Sequence, residues 1–200
     1  MQARLKKNLL AIAGILTALI VGFVVVVAMQ PSDFRVSRSA KMTAAPADVF
    51  AQVNDFHKWD GWSPWAKMDP NAKNSFEGAP AGEGAIFRWS GNADVGEGAM
   101  TITESKAAER VRLKLEFIKP MAGVCDTLFT FEPVGDQTNV TWTMSGKNDF
   151  FGKAVSLFMD CDKMVGGQFE RGLANMKATV ESAPSAEKVA AAESEPKAEN

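Results

Sequence analysis

From Arg110 to Ile118 the chain alternates without a break. Arg110, Arg112, Lys114 and Glu116 face one way; Val111, Leu113, Leu115 and Phe117 face the other. A strand with one wet face and one core face produces this pattern, and such strands build antiparallel sheets. The same period of two runs through most of residues 72–147. Cys125, Thr127, Phe129 and Phe131 share a face, and Val140, Trp142 and Met144 continue the inward set opposite Thr141, Thr143 and Ser145. Turn-forming stretches at Gly78–Gly84, Gly91–Gly96, Pro120–Gly123 and Gly135-Asp136 separate the strands. Phe34–Met42 predicts one more strand, with Phe34, Val36, Arg38, Ala40 and Met42 inward.

Two segments break this period. Pro46–Asn54 reads as a short helix, with proline in its first turn and Val49, Phe50 and Val53 on its buried stripe. The tryptophan-rich stretch His57–Asp69 that follows reads as loop with helical turns. From Asp149 to Glu181 the apolar residues recur at helical spacing: Phe151, Val155, Phe158, Val165, Phe169, Leu173, Met176 and Val180. That spacing predicts one long helix, capped by Asp149, kinked at Gly166-Gly167 and laid on the sheet. Strand, short helix, six or so meandering strands and a long helix together predict an α+β fold.

Leu9–Met29 is a different kind of segment, 21 residues with neither charge nor proline. At about 1.5 Å per residue it crosses a ~30 Å hydrocarbon layer. Arg4, Lys6 and Lys7 precede it, so the positive-inside bias puts the N-terminus in the cytoplasm and the rest outside. Val26-Val27-Ala28 allows the competing reading of a cleaved signal peptide, although signal cores run only about 7–15 residues. The expected division is a basic flank and anchor over 1–29, a linker over 30–33, a folded domain over 34–181 and a disordered tail over 182–200. The tail is rich in Ala, Glu, Lys, Pro and Ser and has little apolar surface to bury. With 46% hydrophobic residues the chain has ample material for one core, and its mildly acidic middle lacks the basic stripe a nucleic acid requires. Cys125 and Cys161 sit in apolar runs and read as two buried thiols, with a disulfide as the alternative in an exported domain.

Val36-Ser37-Arg38-Ser39 leads into Ala45-Pro46-Ala47-Asp48-Val49-Phe50, and Trp59 is followed by Trp62-Ser63-Pro64-Trp65. Val95–Ile102, and Gly166 through Phe169-Glu170 to Gly172-Leu173-Ala174-Asn175, come later in the chain. Taken in order, these stretches resemble the SRPBCC superfamily of START and Bet v 1-like domains, in its bacterial polyketide cyclase/dehydrase branch. The resemblance covers roughly Phe34 to Val180. It implies a helix-grip fold, a curved antiparallel sheet of about seven strands around the C-terminal helix, with a cavity between them for apolar compounds.

Strand parity and this resemblance together name the residues expected to line such a cavity. From the sheet come Phe87, Trp89, Met100, Ile102, Leu113, Leu115, Phe129, Trp142 and Met144. From the long helix come Phe158, Val165 and Phe169, and Trp62 and Trp65 are expected either to gate the cavity or to staple the short helices to the sheet. Gly96 and Gly98 share inward parity with Met100 and Ile102 and would leave volume for a guest. Arg38 points inward and needs a partner. Asp160, Asp162 and Glu170 are available, so Arg38 is a structural ion pair, or sits at a strand end that reaches solvent, or anchors a ligand carboxylate or carbonyl.

Catalytic material is sparse. There is one histidine and no tyrosine, and one His with two scattered Cys supplies no zinc set, so neither metal nor cofactor is expected. His57 and Arg38 are the weak catalytic candidates, and ordinary structural roles suit both. The function expected first is a membrane-tethered exported binding protein for a hydrophobic small molecule or lipid. The alternatives are a cyclase/dehydrase-type enzyme and a solid-cored domain that docks another envelope protein. No motif specifies a protein partner.

Overall fold

A computed structural model of the 200-residue chain describes residues 2–182. The expected tail over 182–200 lies outside the described residues except for Ser182, which ends a helix. The chain forms two compact units. One comprises the chain up to Phe34 with Lys147–Cys161; the other comprises Arg35–Gly146 with the chain from Asp162 onward.

The first unit is built on helix α1 (Gln2–Ala28). Its apolar part, Asn8–Ala28, is long and apolar enough to cross a membrane, and nearly all of its large side chains are exposed. The later segment of this unit carries α3 (Phe150–Ser156), whose first turn is closed by Asp149 accepting from the Gly152 N–H at 2.8 Å.

The second unit holds the sheet. Its strands are β1 (Asp33–Met42), β2 (Lys73–Gly78), β3 (Ala85–Ser90), β4 (Glu97–Lys106), β5 (Arg110–Lys119), β6 (Gly123–Val134) and β7 (Gln137–Lys147). They form one seven-stranded antiparallel sheet in the order β1-β7-β6-β5-β4-β3-β2, a six-strand meander with the first strand beside the last. Each predicted turn falls between two strands. Register shifts between β4 and β5, at Glu97/Gly98 and Ile102/Glu104, bend the sheet. Hydroxyl pairs Ser37–Thr143 and Ser39–Thr141, both 2.8 Å apart, tie β1 to β7.

Residues of inward parity meet in rows across the strands. Phe87 lies opposite Met100, Met100 opposite Leu115, and Leu115 opposite Cys125. Val111 lies opposite Phe129 and Phe129 opposite Trp142. Val36, Met42, Ile102, Leu113, Phe129, Phe131 and Val140 are buried, as the alternation requires. Burying one such side chain fully stabilises the fold by about 1.5–3 kcal/mol. Over these rows lie α2 (Pro46–Asn54), a 3₁₀ turn (Phe56–Gly61) and α4 (Cys161–Ser182).

The single long helix expected over Asp149–Glu181 is two helices. Leu157 and Phe158 donate to Ala154 and Val155 three residues back, tightening the last turn of α3, and Cys161 donates to Met159 before α4 begins. The Gly166-Gly167 pair lies within α4, which runs through it, so the interruption comes at residues 157–160. Phe158 is consequently highly exposed, and Cys161, expected to be buried, is exposed as well.

Candidate functional site

The centre of the second unit is a ring cluster. Trp142 on β7 stacks face to face on Phe169 of α4, with centroids 4.0 Å apart and planes 9° apart. Its other ring neighbours are Phe129 (4.8 Å), Trp62 (5.7 Å), Trp65 (5.8 Å) and Trp59 (6.5 Å). The tryptophan loop is pinned from behind, because the indole N–H of Trp59 donates to Val53 O at 3.0 Å and that of Trp62 to Gln52 O at 3.1 Å. These bonds staple the loop to α2. Asn175 on α4 holds the Trp62 carbonyl at 3.2 Å.

Glycines let α4 sit this close. A Cβ at Gly172 would meet Trp142 Cζ3 at 2.8 Å and Pro64 Cδ at 3.1 Å. A Cβ at Gly166 would meet the Arg38 guanidinium. The volume expected beside Gly98 is occupied, because the Trp89 ring lies against that glycine. Sequence parity shows that a ring points inward, but it does not show whether another ring is waiting there.

The space beneath the middle of α4 is therefore filled, and the open space lies toward the start of α4. A groove of about 430 Å³ is lined by Trp65 and Met68 from the tryptophan loop, Asp94 from the β3–β4 turn, and Met164, Val165 and Gln168 from α4. Four of the six are apolar, and among the described residues the lining has one acid and no base. Its size falls in the range of small-molecule sites. Gln168 Oε1 is buried with no hydrogen-bond partner among the described residues, and so is Trp142 Nε1. A second cleft, of about 410 Å³, is lined by Asp60, Gly61, Ser63, Pro64, Lys67, Asn175, Ala178, Thr179 and Ser182 and is mostly polar.

Arg38 is fully engaged. Its Nε–H donates to Glu170 at 2.7 Å, and its two terminal nitrogens donate to both carboxylate oxygens and the carbonyl of Asp162 and to Ser37 O at 2.9–3.2 Å. These bonds use all five donors of a guanidinium. Its hydrogen bonds to the accepting carboxylates of Asp162 and Glu170 push its pKa further up, so it is a permanent cation clasping β1 to α4. No donor is left over for a ligand carboxylate.

His57 makes local contacts. Its Nδ1 lies 2.9 Å from Asp55 Oδ1, which also accepts the His57 backbone N–H and so caps the 3₁₀ turn, and its ring stacks on Phe76 at 4.1 Å. Arg38 and His57 share no neighbour in these contacts. Burial, and secondarily the Asp126 charge, pushes the Cys125 thiol up, away from thiolate chemistry. Among the described residues no group of three His, Cys, Asp or Glu side chains is arranged to hold a metal ion.

The expected lining residues thus fall into four places. Trp62, Ile102, Leu113, Phe129, Trp142, Met144 and Phe169 are buried in the core. Trp65 and Val165 line the groove, while Phe87, Trp89, Met100 and Leu115 are half-buried on the concave face. Phe158 belongs to the first unit. Met68, Asp94 and Gln168 also line the groove and were not among the residues expected from the sequence. Gln168 offered a clue, a polar residue set between Val165 and Phe169 on the apolar side of a helix.

A family model described as polyketide cyclase / dehydrase and lipid transport matches residues 33–181. Among solved structures, protein MLL2253 from Mesorhizobium loti superposes with a TM-score of 0.56 at 13% identity, covering 76% of this chain and 99% of that one. Protein CV1439 from Chromobacterium violaceum gives 0.53 at 18% identity, covering 76% and 100%. Ara h 8.0201 gives 0.54 at 9% identity, covering 76% and 99%, which shows the Bet v 1-like fold. No curated protein matches the sequence.

Proposed function

We propose, from the premise that this chain belongs to the polyketide cyclase/dehydrase and lipid-transport family, that it is a membrane-tethered exported protein that binds an apolar small molecule or lipid. The observation that carries this reading is the groove of Trp65, Met68, Asp94, Met164, Val165 and Gln168. It is a mostly apolar slot, and one of its lining residues, Gln168, has a buried amide oxygen with no partner among the described residues, at a cost of about 1–3 kcal/mol. A guest that supplies a hydroxyl or amide N–H to Gln168 removes that cost. Asp94 at the groove, the absence of a basic lining residue and the full engagement of Arg38 favour a neutral guest over a free carboxylate.

In this reading residues 1–29 anchor the chain, 30–33 link it, 34–181 form the helix-grip domain and 182–200 are a tail. Arg4, Lys6 and Lys7 keep the N-terminus in the cytoplasm and leave the domain on the far side of the membrane. Trp65 and Val165 serve as lining, Phe87, Trp89, Met100 and Leu115 as half-buried side chains of the concave face, and Arg38 as a clasp.

The test is to purify the full chain from membranes and identify apolar compounds bound to it by mass spectrometry, beside Val165→Trp. The expected result is a stoichiometric neutral guest that the variant lacks, with melting temperatures within about 2 °C of each other, as for a substitution away from the core. The second reading, a solid-cored docking domain, is favoured by one observation, the closed stack of Trp142 on Phe169. A chain that carries no guest, or the same lipids with and without the variant, decides for it.

A further inference from the structure

The segment Phe150–Met159 concentrates apolar side chains on the surface of the first unit. Phe150, Phe151, Phe158 and Met159 are 52%, 58%, 79% and 45% exposed. The segment holds a single charge, Lys153. Four large apolar groups so exposed within ten residues mark an interaction surface, unlike the scattered apolar residues of ordinary protein surface.

What covers them is indicated by their position on α1. The Phe158 ring stacks on Phe23 with centroids 6.4 Å apart and planes 29° apart. The start of the segment is fixed near the end of α1, because Asn148 N–H donates to Ser32 O at 2.7 Å. Phe23 lies five positions before Ala28, the last residue of α1, and so about 7.5 Å along the axis from that end. If Asn8–Ala28 fills the hydrocarbon layer, a side chain packed on Phe23 is immersed to about that depth. Interfacial helices bury their apolar faces about 5–10 Å into the boundary between headgroups and acyl chains. Phe151, Val155 and Phe158 follow at helical spacing.

We propose that Phe150–Met159 is a membrane foot, an interfacial segment whose phenylalanines and Met159 lie in the outer leaflet against the last turns of α1. Its partner is the lipid bilayer itself. The proposal rests on α1 being a tether, and it adds a second hold on lipid contributed by a segment more than a hundred residues further along the chain.

The test reconstitutes the full chain in phosphatidylcholine vesicles with single reporter cysteines at 23, 158, 159 or 134, the native Cys125 and Cys161 being replaced by alanine. Each cysteine carries an environment-sensitive fluorophore, and the quencher is a lipid with a nitroxide on its acyl chain. Expected is quenching at 23, 158 and 159 at least about twofold stronger than at Val134, which lies at the β6–β7 turn, as acyl-depth burial requires. Quenching at 23 with water-like signals at both 158 and 159 overturns the foot and leaves the tether standing. Shielding at 158 and 159 from aqueous quencher without lipid quenching points to a protein partner or a second copy, and also overturns it. A water-like signal at 23 removes the tether, and the foot with it.

Discussion

The two ends of α4's inner face contrast in how the fold treats them. From Phe169 to Val180 the helix meets rings and methionine: Phe169, Leu173, Met176 and Val180 are buried, and Gly172 admits the edge of Trp142. From Met164 to Gln168 it meets the Trp65–Met68 segment across an open groove, and the Gln168 amide oxygen is buried there without a partner among the described residues. One helix thus serves as a core element at one end and as a wall at the other. A cavity in this fold is set by where aromatic side chains run out, more than by the curl of the sheet.

The sharpest way to break that contrast is to empty the packed end. Trp142→Ala removes the ring that Phe129, Trp62, Trp65 and Phe169 surround, and should cost about 3–5 kcal/mol in urea unfolding. A smaller effect comes from overfilling the same end. Gly172→Val drives methyls into Trp142 and Pro64 and should cost about 1–3 kcal/mol. Gly167, one helix face away, has nothing within 4 Å of its would-be Cβ, so Gly167→Ala should stabilise by up to about 1 kcal/mol through helix propensity alone. At the groove end, Val165→Ala should cost no more than about 1 kcal/mol, since a half-buried methyl pair is all that is lost.

The smallest effect expected is electrostatic. The Thr43 backbone N–H, with Lys177 nearby, holds the Glu181 carboxyl below the usual carboxylate range. The unfolded chain binds this proton more readily, so the contribution is complete above the ordinary carboxylate pKa and is lost as pH falls through the folded value. Thermal melts of the protein and Glu181→Gln should converge on acidification and separate slightly at neutral pH.

Much of the fold was legible because alternation and turn residues are local. Val111, Leu113, Leu115 and Phe117 reported the sheet by themselves. The helix break at residues 157–160 was not legible, because Leu157 and Phe158 extend the helical spacing with neither glycine nor proline between them, and the stripe continues although its neighbour changes from the sheet to α1. Asp160 and Asp162 at the start of α4 were the available hint, since helices favour acids there. Arg38 and its partners Asp162 and Glu170 were readable from the cost of an unpaired inward charge. The groove was not readable, because parity assigns Trp89 and Trp142 a direction without assigning them a neighbour. Gly98 offers no space for the same reason.

Photolabelling with a neutral long-chain alcohol that carries a diazirine tests the division of α4 most directly. The full chain is labelled in membranes and the modified residues are mapped by mass spectrometry, with α1 as the bilayer background. Label is expected on Met68, Met164 and Val165, abolished there by Val165→Trp while α1 stays labelled. Label on Phe129, Trp142 or Phe169, or an unchanged pattern in the variant, would contradict that division.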